Sequence, residues 1–126
     1  MALQVELVSP ERILYSGEAD MVVCRTVGGG EVAFLTGHAP FLGALETGVV
    51  RVKTGSGSEE VAAVHGGFVE VRDNRVIILS DVAELAADID TSRAQRAKDA
   101  ATGDDPEAVA ARARADARLN AANRAS

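Results

Sequence analysis

A chain of 126 residues that is 47% hydrophobic but only 3% aromatic is long enough for one ordinary core plus a small appendage, and that core must be packed with Val, Leu, Ile and Ala. Its net charge of −6 argues against a nucleic-acid partner, since a phosphate backbone selects a basic face. No stretch is apolar enough to span a bilayer, and the opening MALQVELVSPER has no basic segment followed by an apolar one, so neither membrane insertion nor a signal peptide is expected and the chain reads as cytosolic.

Strand and turn signals fill residues 3 to about 88. Leu3, Val5 and Leu7 alternate with Gln4, Glu6 and Val8 until Ser9-Pro10 ends the strand. A second short strand is expected over residues 12–16, stopping at Gly17, and Ala19, Met21 and Val23 alternate in the next. Cys24 lies inside that apolar pattern; alone in the chain, it reads as a buried structural thiol. The triplet Gly28-Gly29-Gly30 lacks the Lys-Ser/Thr pair and the following helix of a phosphate loop, so it predicts a tight hairpin.

Val32 to Leu35 form an apolar run, which Thr36-Gly37-His38-Ala39-Pro40 breaks before a second run from Phe41 to Leu45. A short loop pinned at both ends should present a contact surface, with His38 and Glu31 near one edge. Beyond it, Val49, Val50 and Val52 continue as a strand to Thr54, Gly55-Ser56-Gly57-Ser58 turns, and residues 60–65 return. Gly66-Gly67 interrupts, residues 68–72 extend, Asp73-Asn74 turns, and residues 75–79 form a β-branched run expected inside a sheet. A last strand over residues 82–85 closes a β-sandwich or barrel.

From Asp88-Ile89-Asp90 the period changes. Asp90 caps a helix over residues 91 to about 101, on which Ala94, Ala97 and Ala101 share a face, and Gly103 stops it. Asp105 with Pro106 starts a second helix reaching about residue 123, roughly 18 residues and about 27 Å long. Val109, Ala113 and Ala117 line one strip and Ala111, Ala115, Leu119 and Ala122 another, while Arg112, Arg114, Arg118 and Arg124 dominate the polar surface. Two parts follow: a body at 1–88 with 6 Lys/Arg and 13 Asp/Glu, and a tail at 89–126 with 7 and 6. Alanine faces bury little area, so an antiparallel hairpin that rests on the body and can detach is expected.

Chemistry-bearing residues are sparse. His38 and His65 lie in different turns with no ligands at metal spacing, and no serine sits in a strand-to-helix elbow. His65 beside Gly66-Gly67 reads as a strand-end residue; His38 reads equally as a loop histidine satisfied by backbone or as a partner contact. Asp90 and Arg93 share a face at a helix start, which fits either a phosphate site or a capping Asp beside a solvated Arg.

Three segments resemble the epsilon subunit of F-type ATP synthases: Gly30-Glu31 with Gly37-His38-Ala39-Pro40-Phe41 and Leu45; Gly66-Gly67-Phe68-Val69-Glu70-Val71; and Ala83-Glu84 with Ile89-Asp90. The resemblance implies a ten-stranded β-sandwich followed by a two-helix hairpin. It implies a non-catalytic subunit at the foot of the central stalk, bound to gamma and to the c-ring, peripheral on the cytoplasmic face of the bacterial membrane. There it couples ion transport to ATP synthesis. Glu31, Gly37, His38 and Pro40 then face the c-ring and stalk base. The resemblance further implies a tail that reaches the catalytic alpha/beta head and inhibits ATP hydrolysis, with Arg112, Arg114 and Arg118 as candidate basic residues. Ile89, Asp90, Arg93 and Ala94 match the family's ATP motif, so the resemblance implies ATP as a candidate regulatory ligand, with no required cofactor expected. The chain departs from the pattern at Thr36, usually proline, and in a shorter tail interrupted at Gly103-Asp104-Asp105-Pro106. The competing reading is a free-standing nucleotide-binding module built on Asp90 and Arg93.

Overall fold

The structure, a computed structural model, describes residues 2–55 and 57–125; Ser56 of the predicted polar turn lies outside them. Ten strands form two sheets: β1 (Leu3–Val8), β2 (Ile13–Ala19), β3 (Met21–Thr26), β4 (Gly30–Leu35), β5 (Phe41–Ala44), β6 (Gly48–Lys53), β7 (Glu59–Val64), β8 (Phe68–Arg72), β9 (Arg75–Leu79) and β10 (Ala83–Leu85). The first sheet runs β2-β1-β9-β8-β5 and the second β10-β7-β6-β3-β4. A 3-10 turn, Ala86–Asp88, leads into α1 (Thr91–Ala100) and α2 (Pro106–Ala125). The expected fold class, a ten-stranded sandwich followed by a helical hairpin, is therefore the observed one.

Strand alternation builds the core. Leu3, Val5 and Leu7 of β1 meet Val76 and Ile78 of β9, Val69 and Val71 of β8, and Val50, Val52 and Phe34 of the opposing sheet. The β-branched run of β9 lies inside the first sheet, parallel to β1 and antiparallel to β8. Asp73 and Asn74, at φ 51° and 61°, make the two-residue turn between β8 and β9, a conformation their short side chains tolerate. At Gly67 a Cβ would run into the Leu79 carbonyl oxygen, so this position, at φ 119°, accepts only glycine.

Two strand expectations are corrected. β2 continues through Gly17, which sits opposite Val5, because the absent side chain leaves room for the Tyr15 ring rather than turning the chain. The stop falls instead at Asp20. In β3 the core-facing residues are Val22 and Cys24, not Met21 and Val23, since Ala19 belongs to β2 and the bend at Asp20 resets the alternation. Val23 is nevertheless only 4% exposed, on a strand flanked within the sheet by β4 and β6. Burial pushes the Cys24 thiol up to about 11, with Glu31 adding to it, as suits an inert core thiol.

α2 lies on the outer face of the second sheet, where Ala117 and Ala121 pack against Val61 and Ala63. α1 packs on α2, with Ala94 as its buried residue. Both caps form as expected, Arg93 N donating to Asp90 Oδ1 at 3.0 Å and Ala108 N to Asp105 Oδ2 at 3.2 Å. The expected strip of Val109, Ala113 and Ala117 is not the seam: Val109 is 48% exposed and Ala113 is exposed. A strip of every fourth residue drifts by ~40° per step, so three steps carry Val109 ~120° away from the direction of Ala121.

Candidate functional site

The loop at residues 36–40 crosses from β4, at one edge of the second sheet, to β5, at the edge of the first. Gly37 N donates to the Asn74 side-chain oxygen at 2.7 Å, tying the loop to the β8–β9 turn. His38 N bonds Leu35 O at 3.1 Å, and its ring stands edge-on to Phe34 at 4.9 Å between centroids. Nδ1 lies 2.7 Å from Ala39 O. A carbonyl only accepts, so Nδ1 carries the proton. His38 is thus half-buried and oriented by backbone, with exposed Gly37, Ala39 and Pro40 around it.

Glu31 lies on the same β4 edge but at its far end from His38, separated by four residues of strand, roughly 13 Å at ~3.3 Å each. It points to the helix-bearing face, 3.8 Å from the Arg51 guanidinium, which also lies 3.7 Å from Glu59; Arg124 of α2 in turn bonds Glu59 at 3.1 Å. The two ends of the expected contact surface are therefore not one cluster.

The outer face of the first sheet carries no helix. Leu42, Phe68 and Leu79 are 71%, 58% and 53% exposed, and the ladder sets Phe68 opposite both Ala44 and Leu79. Sequence reading missed this surface, although its signal was present: Phe68 alternates in phase with Glu70 and Arg72, an aromatic residue on an otherwise polar face.

A cleft of about 310 Å³ between sandwich and hairpin brings together Asp90, Arg93 and Ala94 with Arg118, and with Glu84 and Asp88. Ile89 instead packs at the sheet–helix seam. The Asp90 carboxylate is engaged as the helix cap, whereas the Arg93 guanidinium has no ion pair among the described residues. The other candidate arginines are engaged: Arg112 donates to Ala101 O at 2.6 Å and Gly103 O at 2.7 Å, closing the end of α1; Arg114 meets Glu107 at 3.2 Å; Arg118 Nε meets Glu84 Oε1 at 2.6 Å. That same Glu84 oxygen accepts from His65 Nε2 at 3.2 Å. Burial raises the Glu84 pKa, but hydrogen bonds from Arg118 and His65 outweigh it and hold the carboxyl below its usual range. Burial, reinforced by Arg118 and Arg114 against the opposing pull of Glu84, lowers the pKa of His65. No sequence signal marked this cluster, whose members are 19 and 34 positions apart.

Among the described residues no group of three or more His, Cys, Asp and Glu is placed to hold a metal, and no helix is long and apolar enough to cross a membrane. What remains defines a class: a two-sheet sandwich with one face under a helical hairpin and the other free of helix, exposing Leu42, Phe68 and Leu79 among charged residues. The family model of the ATP synthase delta/epsilon chain β-sandwich domain matches residues 2–86. ATP synthase epsilon chains of Streptomyces griseus, Rhodococcus jostii and Thermobifida fusca are 46%, 47% and 50% identical, over 94%, 98% and 95% of this chain and 94%, 98% and 91% of theirs. The chain belongs to the ATP synthase epsilon chain family, and so to the subunits of that complex. In fold it resembles a chain of the Euglena gracilis mitochondrial ATP synthase OSCP/F1/c-ring structure, with TM-score 0.73 and 22% identity over 97% of this chain and 78% of that one. It also resembles a chain of the Tetrahymena thermophila central stalk/c-ring structure, with TM-score 0.59 and 18% identity over 99% and 96%.

Proposed function

We propose that the chain is a non-catalytic coupling subunit: its sandwich clamps gamma to the c-ring at the cytoplasmic face of the membrane, and residues 89–126 regulate ATP hydrolysis through the alpha/beta head. The observation that carries this reading is the asymmetry of the two outer faces, one sealed by α2 and the other exposing Leu42, Phe68 and Leu79. Large apolar side chains left exposed together on a helix-free face mark an interaction site, and gamma is the occupant proposed. The loop around Gly37, His38 and Pro40 forms a second, separately braced contact towards the c-ring, with Glu31 at the other end of the same edge. The relatives named above, and the stalk and c-ring assemblies in which the fold neighbours occur, support this assignment.

Its test is a pair of charge insertions, Phe68→Glu with Leu79→Glu, made in the assembled complex. Both side chains are exposed, so folding should survive while retention on the stalk falls at least tenfold; undiminished retention would reject this face. Alanine at Glu31 and His38 should weaken docking at the stalk base, and unaltered retention would reject that contact.

A second reading is favoured by the cleft at Asp90, Arg93 and Arg118, in which ATP acts as a regulatory ligand rather than a required cofactor. Its volume lies near the small end of ligand sites. Glu84, Asp88 and Asp90 outnumber Arg93 and Arg118 there, so weak binding is expected. Calorimetric titration with ATP should give heat that Arg93→Ala removes; equal heats from both proteins would place any binding elsewhere.

A further inference from the structure

We propose that His65, Glu84 and Arg118 form a proton-released latch, which holds the hairpin on the sandwich near neutral pH and lets it go on acidification. The inference rests on the reading of residues 89–126 as a detachable regulatory tail. His65 continues the alternation of Val61 and Ala63, so its side chain falls on the face of the second sheet that α2 covers, and it is 4% exposed. Its backbone N–H bonds Val82 O at 3.0 Å, fixing it beside β10. Because a carboxylate only accepts, Nε2 donates to Glu84, and the buried Nδ1 is left without a hydrogen-bond partner.

Protonating the ring would bury a second N–H in the same unpartnered position. It would also add a cation beside Arg118, which already occupies the Glu84 oxygen that His65 uses. The charged groups facing the ring are Glu84 from β10 and Arg114 and Arg118 from α2, with Glu107 paired to Arg114; Asp88, Asp90 and Arg93 line the cleft beyond Glu84. When α2 leaves, both arginines go with it. His65 and Glu84 remain together on the sandwich, now wetted, where the histidine can charge against a carboxylate released from Arg118.

The sign follows from linkage. Burial first, and the two arginines second, lower the docked pKa of His65, so the detached state binds the extra proton. Docking is then at full strength above the ordinary histidine pKa of about 6.5 and weakens by up to tenfold for each pH unit below it, until the docked pKa is reached. Histidine is the side chain whose ordinary pKa falls in that range.

The test compares amide-exchange protection factors of the full chain at about pH 7.5 and about pH 5.5, either side of the ordinary histidine pKa. The expected result is that α2 exchanges ahead of β1 and β9 and loses about tenfold protection on acidification, while the strands keep theirs. His65→Gln, which retains a donor but cannot titrate, should abolish that loss. Arg118→Gln should dock more weakly at the higher pH yet lose less on acidification, because its competing charge is gone. Equal α2 protection at both pH values, or an undiminished loss in His65→Gln, overturns the latch and leaves the detachable tail standing. Exchange of α2 only together with the sandwich at both pH values overturns both.

Discussion

The interior of the sandwich is filled by Phe34, Leu3, Leu7 and Ile78, all under 2% exposed, whereas the seam between α2 and the sheet closes on Ala117 and Ala121 against Val61 and Ala63. Burying a large apolar side chain is worth about 1.5–3 kcal/mol and a methyl-sized group about 0.8. By the same hydrophobic effect the interior of the sandwich is held by larger buried side chains than the seam beneath α2. Polar contacts occupy the balance of the seam: Arg118 to Glu84, Arg124 to Glu59, and Arg112 closing the end of α1. The clamp role proposed for the sandwich would require resistance to deformation and the regulatory role proposed for the hairpin would require movement, and the two compositions suit those proposed tasks.

This contrast can be broken at several strengths. Phe34→Ala should cost about 3–5 kcal/mol in denaturant unfolding, because it empties the centre of the core. A loss below about 1 kcal/mol would mean that the sandwich is not the stiff partner. Glu84→Ala should loosen the hairpin by about 1–2 kcal/mol, read as reduced protection of α2 with the strands unchanged, since it strands Arg118 and removes the partner of His65. Arg112→Met should cost about 1 kcal/mol, confined to α1, by freeing the Ala101 and Gly103 carbonyls; spread into the sandwich would show the two regions to be one cooperative unit. Leu42→Ser should change stability by less than about 0.5 kcal/mol and still weaken retention on the stalk, separating interface from fold.

Short-range chemistry was the readable part of the chain. The alternation of β1, the run of β9, and the caps at Asp90 and Asp105 depend on neighbours within a few positions, and each occurs as read. Gly17 and Val23 were misread because a ring lying across a glycine, and a bend at Asp20 that resets the alternation between two strands, are tertiary facts. The helix strip was misplaced because its phase depends on where α2 lands on the sheet. Glu31 and His38 were read near one edge, and both lie along the β4 edge, whose length only the strand ladder reveals. His65, read as a strand end, is the residue most changed in meaning by the structure, since Glu84 and Arg118 reach it from distant positions.

ATP hydrolysis and subunit retention in the assembled complex, measured with the full chain and with a chain ending at Asp88, test the division of labour most directly. The account predicts retention within twofold and an altered hydrolysis rate, because the sandwich docks and the hairpin regulates. Loss of the shortened chain from the complex, or hydrolysis identical in the two assemblies, would contradict it.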